Sequence, residues 1–263
     1  MLKSKEIKVS SSITDLPVFI SLPDLFAGLK DAGAGGVEIT PGFKSRWSFS
    51  KLKDVSDKFG LPITSVHQPP WSIAGFWFDE GFISEAHKVG VDNFVFHPPA
   101  GVSFESEKMS QFLQRLSDLQ EKYGIYALLE NMPWAVRPPL LRKYLPFPQD
   151  TTEPEKVAKT AKSFGLGMTF DTSHAFVANP QDQAWFSEIF PTIRNIHLSS
   201  FKENRDHLPL DMGDLNTVEF VSSLKEKDYA GLVTLEIYYP KKISYRNYDF
   251  DAIKRSVQLV KDS

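Results

Sequence analysis

The sequence predicts a single (β/α)8 barrel, in which eight parallel strands are each followed by a helix. The chain has 263 residues, and about 250 residues is typical of eight such units. A helical pattern, a Gly or Asn break and a short β-rich run recur at a spacing of roughly 30 residues, the size of one βα unit. The β-rich runs are almost continuously apolar, as expected of parallel strands that are covered on both faces.

Eight segments have the composition of barrel strands. They are Ile7–Ser11, Gly36–Thr40, Ile63–His67, Asn93–His97, Ile125–Glu130, Gly167–Asp171, Ile193–Leu198 and Leu232–Glu236. A doubly wound open sheet is the alternative arrangement of the same segments. Neither GxGxxG nor GxxxxGK[ST] follows the first strand, which argues against a nucleotide-binding version of that sheet.

The helices between these strands are predicted from apolar residues that recur on one helical face. Leu52, Val55 and Phe59 share such a face, and Gly60 can adopt the left-handed conformation that ends a helix. Similar apolar stripes occur at 109–119, 157–164 and 220–224, and a closing helix is predicted at 249–260. Each stripe except the last leads into one of the predicted strands.

Composition and charge exclude several classes of protein. The chain has no cysteine, which excludes disulfides, thiolate metal sites and cysteine nucleophiles. A net charge of −3 argues against bulk nucleic-acid binding, although a local basic groove stays open. No apolar run is long enough to cross a membrane, and the first residues lack the apolar core of a signal peptide. We therefore expect a cytoplasmic protein with no membrane partner.

The strand ends carry the chemistry of the predicted barrel. Seven of the eight predicted strands end at or beside Glu38, His67, His97, Glu130, Asp171, His197 and Glu236. Barrel enzymes place their reactive groups at this end of the strands. Converging charges would repel one another, and a divalent cation is the simplest compensation. Carboxylate and imidazole ligands suit Zn, Mn, Co or Mg, which would polarise a substrate oxygen or activate a water molecule.

Five segments, taken in order, resemble the strand-end motifs of the xylose isomerase-like TIM-barrel superfamily. They are FVFHPP, LLENMP, MTFDTSH, NIHLSS followed by HLPLDMGDL, and VTLEIYYP. The superfamily includes sugar and sugar-phosphate isomerases and epimerases, and the endonuclease IV type of AP endonuclease. The resemblance extends from about Val9 to Tyr239, so a single domain over residues 1–263 is expected. The ordered motifs are specific for the superfamily and much less so for the reaction.

The resemblance implies a four-ligand metal site formed by Glu130, Asp171, His197 and Glu236. In the epimerase members the two glutamates also act as acid and base, and they move a proton beside the carbonyl through a metal-bound enediolate. His174 and Arg205 would hold substrate oxygens, since an arginine fork suits oxygens of developing negative charge.

The endonuclease IV branch implies further metals. There His67 and His97 would bind a second metal that shares Glu130, while His174 and His207 would bind a third together with an aspartate.

That aspartate aligns with Arg205 in this sequence. A cation cannot serve as a metal ligand, which favours the isomerase interpretation, although the neighbouring Asp206 could supply the missing carboxylate.

Two segments after the strands that end at His67 and Glu130 are predicted to frame the site. They are Trp71–Phe78 and a loop at about 133–154, which together would form an aromatic wall and a lid. Trp71 and Trp134 would then contact substrate, as would His67 and Glu38. The alternatives are structural: the aromatic segment could pack in the core or form a contact in a homo-oligomer, and Glu38 could anchor a loop.

We therefore predict a divalent-metal-dependent isomerase or epimerase whose partner is a small sugar or sugar phosphate. A multi-metal phosphodiesterase of the endonuclease IV kind is the main alternative and would make nucleic acid the partner. A dehydratase of a cyclic polyol and a non-catalytic binding barrel remain open. No phosphate-binding loop is legible in the sequence, so phosphorylation of the substrate is left undecided.

Overall fold

A computed structural model of the protein describes residues 7–14, 20–41, 47–68, 80–99, 101–133, 151–178, 184–203, 205–237 and 248–263. Its barrel strands are β1 (Val9–Thr14), β2 (Gly36–Thr40), β3 (Ile63–His67), β4 (Asn93–Phe96), β5 (Tyr126–Glu130), β6 (Gly167–Asp171), β7 (Ile193–Leu198) and β10 (Leu232–Leu235). Two further strands, β8 (Ser200–Lys202) and β9 (Arg205–Leu208), form an antiparallel hairpin after β7.

Helices alternate with these strands. They are α1 (Leu22–Asp31), α2 (Phe49–Phe59), α3 (Glu80–Lys88), α4 (Glu107–Tyr123), α5 (Pro154–Ser163), α6 (Thr172–Ala178), α7 (Ala184–Ile189), α8 (Thr217–Glu226) and α9 (Phe250–Asp262), with a short 3₁₀ helix at Phe190–Thr192. None of the helices in the described ranges is long and apolar enough to span a bilayer.

The eight barrel strands are parallel and close in the order β1-β10-β7-β6-β5-β4-β3-β2. The predicted (β/α)8 barrel is thereby confirmed, and the doubly wound sheet is wrong because β1 and β10 pair to close the ring. The predicted bounds of β2, β3, β6 and β7 are those of the structure. Strand β1 lies further along the chain than predicted, because its run of serines pairs with both neighbouring strands despite a composition unusual for a strand.

Local sequence explains where the helices begin and end. Ser48 caps α2 by accepting a hydrogen bond from the Lys51 amide, and Gly60 ends the helix in the left-handed conformation at φ 58°. The same pairing of a serine cap with a terminal glycine bounds α4, between Ser106 and Gly124. The end of α2 at Gly60 is the one that the sequence predicts.

The amino-terminal ends of the strands form one end of the barrel. A cleft of about 470 Å³ lies there, between the starts of β4, β7 and β10. The Tyr229 hydroxyl donates to the Leu232 carbonyl at 3.0 Å, and the Arg194 guanidinium lies 4.4 Å from the centre of the Tyr126 ring. A side chain at Gly231 would meet the Arg194 carbonyl oxygen at 2.6 Å, so only glycine fits there.

Part of the predicted frame around the site falls on residues that the structure does not describe. Trp71, Trp134, the segment Trp71–Phe78 and residues 134–150 of the predicted lid all lie outside the described ranges. Their proposed contacts with substrate stay predictions.

Candidate active site

The carboxyl-terminal ends of the strands bring titratable side chains together in the mouth of the barrel. These are His67, His97, Glu130, Asp171, His174, His197, His207 and Glu236. All are buried except His97, whose side chain is 15% exposed. So many charged groups are rarely buried together unless they pair with one another or bind a metal.

His197, on β7, lies between two glutamates. Its Nδ1 atom is 2.8 Å from Glu236 Oε2 and 3.2 Å from Glu130 Oε1. Glu130 ends β5, and Glu236 follows β10, so the two carboxylates reach His197 from strands on either side of it. This arrangement turns one imidazole nitrogen and two carboxylate oxygens towards a single point.

Glu130 faces two further histidines with its other oxygen. Its Oε2 atom lies 3.2 Å from His67 Nε2 and 2.9 Å from His97 Nε2. The His67 Nδ1 atom donates to the Gln68 carbonyl at 2.5 Å, which leaves Nε2 as the nitrogen that faces the site. Glu130 therefore has one oxygen on each side and could bridge two cations.

A second group consists of Asp171, His174 and His207. The His174 Nδ1 donates to the Asn131 carbonyl at 2.9 Å, and the His207 Nδ1 donates to the Glu236 carbonyl at 3.2 Å. The two Nε2 atoms consequently face each other at 3.1 Å. Two imidazole lone pairs this close repel unless the two nitrogens share a proton or bind a cation.

Asp171 connects the two groups. Its Oδ1 atom accepts from the His174 amide at 2.8 Å and from Ser173 Oγ at 3.0 Å. Its Oδ2 atom has no hydrogen-bond donor among the described residues, and it lies 4.0 Å from His197 Nδ1 and 3.9 Å from His207 Nδ1. A buried oxygen without a donor between two imidazoles is a suitable cation ligand.

The hairpin β8–β9 positions His207. This residue has φ 51°, in the left-handed region that a residue with a Cβ adopts at a cost. Its side chain is buried, whereas Arg205 and Asp206 on the same strand are exposed. The carboxylate within the group of His174 and His207 thus comes from Asp171 and not from Asp206.

The charges in the mouth shift each other's pKa values. Burial by itself would raise the pKa of Glu130, but His197, His67 and His97 lower it, and the result is well below the usual range. Burial opposes the charge of Glu236 in the same way, and His197 and His207 bring its pKa well below that range. Both carboxylates are therefore ionised at neutral pH.

The pKa values of His67, His197 and Asp171 are raised, whereas burial lowers the pKa of His97. Burial disfavours the charged form of His67, but Glu130 and Glu236 raise its pKa to about 9. The pKa of His197 lies well above its usual value despite burial, because Glu38, Glu236 and Glu130 surround it. Burial raises the pKa of Asp171.

The donors present fit a divalent cation. His67, Glu130, His197 and Glu236 each offer a ligand atom, and these atoms lie within 4.8 Å of one another. Two ligands bonded to one Zn²⁺ lie roughly 3.3 Å apart in tetrahedral geometry, close to the separations around His197 Nδ1. Asp171 belongs instead to the group with His174 and His207, which meets the same criterion.

Other predicted site residues have different surroundings. Glu38 is fully buried between Asn195 and His197, and its carboxylate contacts protein side chains. Asn131 was missed: its side chain accepts from the Asp171 amide at 2.9 Å and donates to the Asp171 carbonyl at 3.0 Å. Its position directly after Glu130 in ENMP was the available signal.

Solved structures of several proteins share the fold. D-allulose 3-epimerase from Methylomonas sp. is 16% identical, covers 98% of each chain and gives a TM-score of 0.72. A D-tagatose 3-epimerase-like protein is 22% identical over 97% of this chain and 96% of that chain, with a TM-score of 0.70. AP endonuclease, family 2, from Brucella melitensis is 16% identical over 91% and 95%, with a TM-score of 0.67.

Sequence comparison gives a relative and a family. An uncharacterised protein of Methanocaldococcus jannaschii is 31% identical over 134 residues, which are 47% of this chain and only 41% of that protein. The match therefore spans about two fifths of the relative's length. The profile of the xylose isomerase-like TIM barrel family matches residues 26–262. The expected relationship is confirmed: the chain belongs to the xylose isomerase-like TIM barrel family.

Proposed function

We propose that this protein is a divalent-metal-dependent isomerase or epimerase of a small sugar or sugar phosphate. The observation that carries the proposal is the pair of buried, ionised glutamates, Glu130 and Glu236, on either side of His197 Nδ1. Epimerisation needs one group to remove a proton beside a carbonyl and one to return it, and two converging carboxylates can do both.

The remaining side chains have roles in binding and orientation. A bound divalent cation would supply polarisation of the substrate carbonyl, with Glu130, His197 and Glu236 as proposed ligands. Asp171 is the proposed fourth ligand, because its Oδ2 atom also lies 4.0 Å from His197 Nδ1, although it groups with His174 and His207 as well. His174, whose Nε2 faces that of His207 in the mouth, is the proposed contact for a substrate oxygen. Either glutamate can take the proton, and the same or the other group can return it.

Structural similarity guides the choice of substrate. Two of the solved structures described above are named for 3-epimerases of D-allulose or D-tagatose, at 16% and 22% identity. Identity this low supports the fold and makes ketoses the first candidates. A contact between Arg205 and substrate oxygens stays part of the proposal, although its side chain is exposed.

Hydrogen exchange at carbon tests the proposal without knowledge of the product. The protein would be reconstituted with Mn²⁺, Co²⁺, Zn²⁺ or Mg²⁺ and incubated in D₂O with a panel of ketoses, aldoses and their phosphates. We expect deuterium at the carbon beside the carbonyl of at least one sugar, seen by NMR and abolished by chelator. Absence of exchange with every metal and sugar would contradict the proposal.

A multi-metal phosphodiesterase is the second candidate, and one observation favours it. Arg205 stands where the endonuclease IV motif has an aspartate, but Asp171 lies with His174 and His207 and can provide the carboxylate of that group. Two cation sites therefore remain feasible. Elemental analysis would separate the candidates: one metal per chain supports the isomerase, whereas two or three, with chelator-sensitive cleavage of abasic-site DNA, support the phosphodiesterase.

A further inference from the structure

We infer that Glu38 is a positioning residue that fixes the orientation and tautomer of His197, so that Nδ1 of this histidine faces the cation. This inference rests on the proposed metal dependence and adds to it a residue that would bind neither metal nor substrate.

The carboxylate of Glu38 reaches His197 from across the barrel interior. Glu38 lies on β2 and His197 on β7, and the strands β1 and β10 separate them in the ring. Both carboxylate oxygens of Glu38 are 3.2 Å from His197 Nε2, and both residues are fully buried. Nε2 therefore donates its proton to Glu38.

Glu38 is itself held in place by donors from neighbouring strands. Ser65 Oγ donates to Glu38 Oε2 at 2.7 Å, and Asn195 Nδ2 donates to the same oxygen at 3.3 Å. The side-chain oxygen Oδ1 of Asn195 in turn accepts from Thr234 Oγ1 at 3.1 Å. These bonds restrict rotation of the carboxylate, so His197 contacts a fixed acceptor.

This arrangement determines which nitrogen can bind a cation. When a cation replaces the Nδ1 proton, Glu38 keeps the remaining proton on Nε2, and the Nδ1 lone pair lies between Glu130 and Glu236. Rotation of the ring by half a turn would break the bond to Glu38 and move the lone pair away from the glutamates. A carboxylate on the distal nitrogen also increases the basicity of an imidazole ligand, and such partners typically contribute 10–100-fold to metal affinity.

A purely structural ion pair between Glu38 and His197 is the competing explanation. On that explanation, removal of the Glu38 carboxylate would lower the melting temperature. It would change neither the zinc affinity nor the nitrogen of His197 that carries the proton. The decisive measurements are therefore zinc affinity and the protonated nitrogen of His197.

The experiment compares the unaltered protein with Glu38→Gln, Glu38→Met and the control Thr169→Val. Thr169 is buried on β6, and its hydroxyl has no hydrogen-bond partner among the described residues. Each protein is stripped with chelator, checked by circular dichroism and titrated with Zn²⁺ against a competing chelator. Long-range ¹H–¹⁵N NMR of the zinc-loaded proteins then identifies the protonated nitrogen of His197.

We expect Glu38→Met to weaken zinc binding about 10–100-fold. Glu38→Gln should lose less than about 10-fold, because its amide oxygen can still accept from Nε2. Thr169→Val should bind zinc as the unaltered protein does, and that protein should carry the His197 proton on Nε2. Glu38→Met that folds and binds zinc as tightly as the unaltered protein would overturn the inference.

If Glu38→Met does not fold, the inference is tested by the protonated nitrogen of His197 and the zinc affinity in the unaltered protein and in Glu38→Gln. A zinc-loaded protein with the His197 proton on Nδ1 would overturn the inference. Zinc binding with the expected tautomer, but without carbon-bound deuterium in any sugar, would instead contradict the proposed reaction and leave the role of Glu38 intact. No zinc binding at all would overturn both.

Discussion

The two ends of the barrel are built from the same strands but differ in what their side chains bind. At the amino-terminal end the Tyr229 hydroxyl donates to a backbone carbonyl, and Arg194 lies against Tyr126. At the carboxyl-terminal end Asp171 Oδ2 lacks a donor among the described residues, and the Nε2 atoms of two histidines face each other. We therefore expect the amino-terminal end to contribute to stability and the carboxyl-terminal end to bind a ligand.

Turnover should differ most between a variant at the carboxyl-terminal end and one at the amino-terminal end when the first replaces a carboxylate of the mouth. We expect Glu236→Gln to lower turnover by about 10²–10⁴-fold, because an amide cannot accept the substrate proton. Deuterium exchange measures turnover, and circular dichroism verifies the fold. Tyr229→Phe, at the other end, is the control and should retain activity. Normal turnover by Glu236→Gln would end the proposed mechanism.

Alkaline pH should lower the stability of the metal-free protein because a buried histidine of the mouth loses its proton. The pKa of His67 is raised to about 9, so its contribution to folding is complete below about 6.5 and is lost as the pH rises through 9. Burial raises the pKa of Tyr229, so this group affects stability only above its usual value near 10. Urea unfolding of chelated protein between pH 6 and 9 should show a fall in stability.

His67→Gln should reduce that fall, and Tyr229→Phe should leave it unchanged. An identical pH dependence in His67→Gln would show that other groups account for the loss.

A substitution at the amino-terminal end should affect stability without affecting chemistry. We expect Gly231→Ala to lower the free energy of unfolding by about 1–3 kcal/mol, because its Cβ would meet backbone and cannot be relieved by a side-chain rotation. Turnover per folded molecule should not change. Gly35→Ala is the matched control, because the nearest atom to a Cβ there is 3.5 Å away. Equal stability of the two variants would disprove the steric explanation.

Removal of the contact between Arg194 and Tyr126 should have the smallest effect on the free energy of unfolding. A double-mutant cycle with Arg194→Ala and Tyr126→Ala should yield a coupling of about 0.5–1 kcal/mol, since the tyrosine is 43% exposed. Metal affinity should be the same in all four proteins of the cycle. A change in zinc affinity would mean that the two ends are coupled.

The family resemblance predicted that His67 and His97 share Glu130, and these residues meet in the mouth. It also predicted that His174 joins His207, but it did not identify Asp171 as the carboxylate of that group. Strand periodicity places Asp171 and His197 at strand ends, on the side where barrels hold their sites. The grouping of Asp171 with His174 and His207 depends on the hairpin β8–β9 and on the left-handed backbone at His207, neither of which has a clear sequence signal.

The contact between Glu38 and His197 could not be predicted from the sequence either. It contacts His197 across 159 positions of the chain, because closure of the barrel brings β2 within reach of β7 across the interior. A contact of this kind is set by the tilt and stagger of all eight strands and not by any local pattern. The apolar strands themselves were predictable, because burial on both faces requires their composition.

The positions of the histidines allow the mouth of the barrel to be observed through labelled side chains. The chain has six histidines, of which five lie in the mouth and the sixth, His87, is on the exposed side of α3 with its side chain 43% exposed. NMR of the protein labelled with ¹⁵N-histidine would therefore give imidazole signals almost entirely from this one site, with exposed His87 as an internal reference. Because the chain lacks cysteine, a single thiol introduced anywhere would carry a label without competition from native residues.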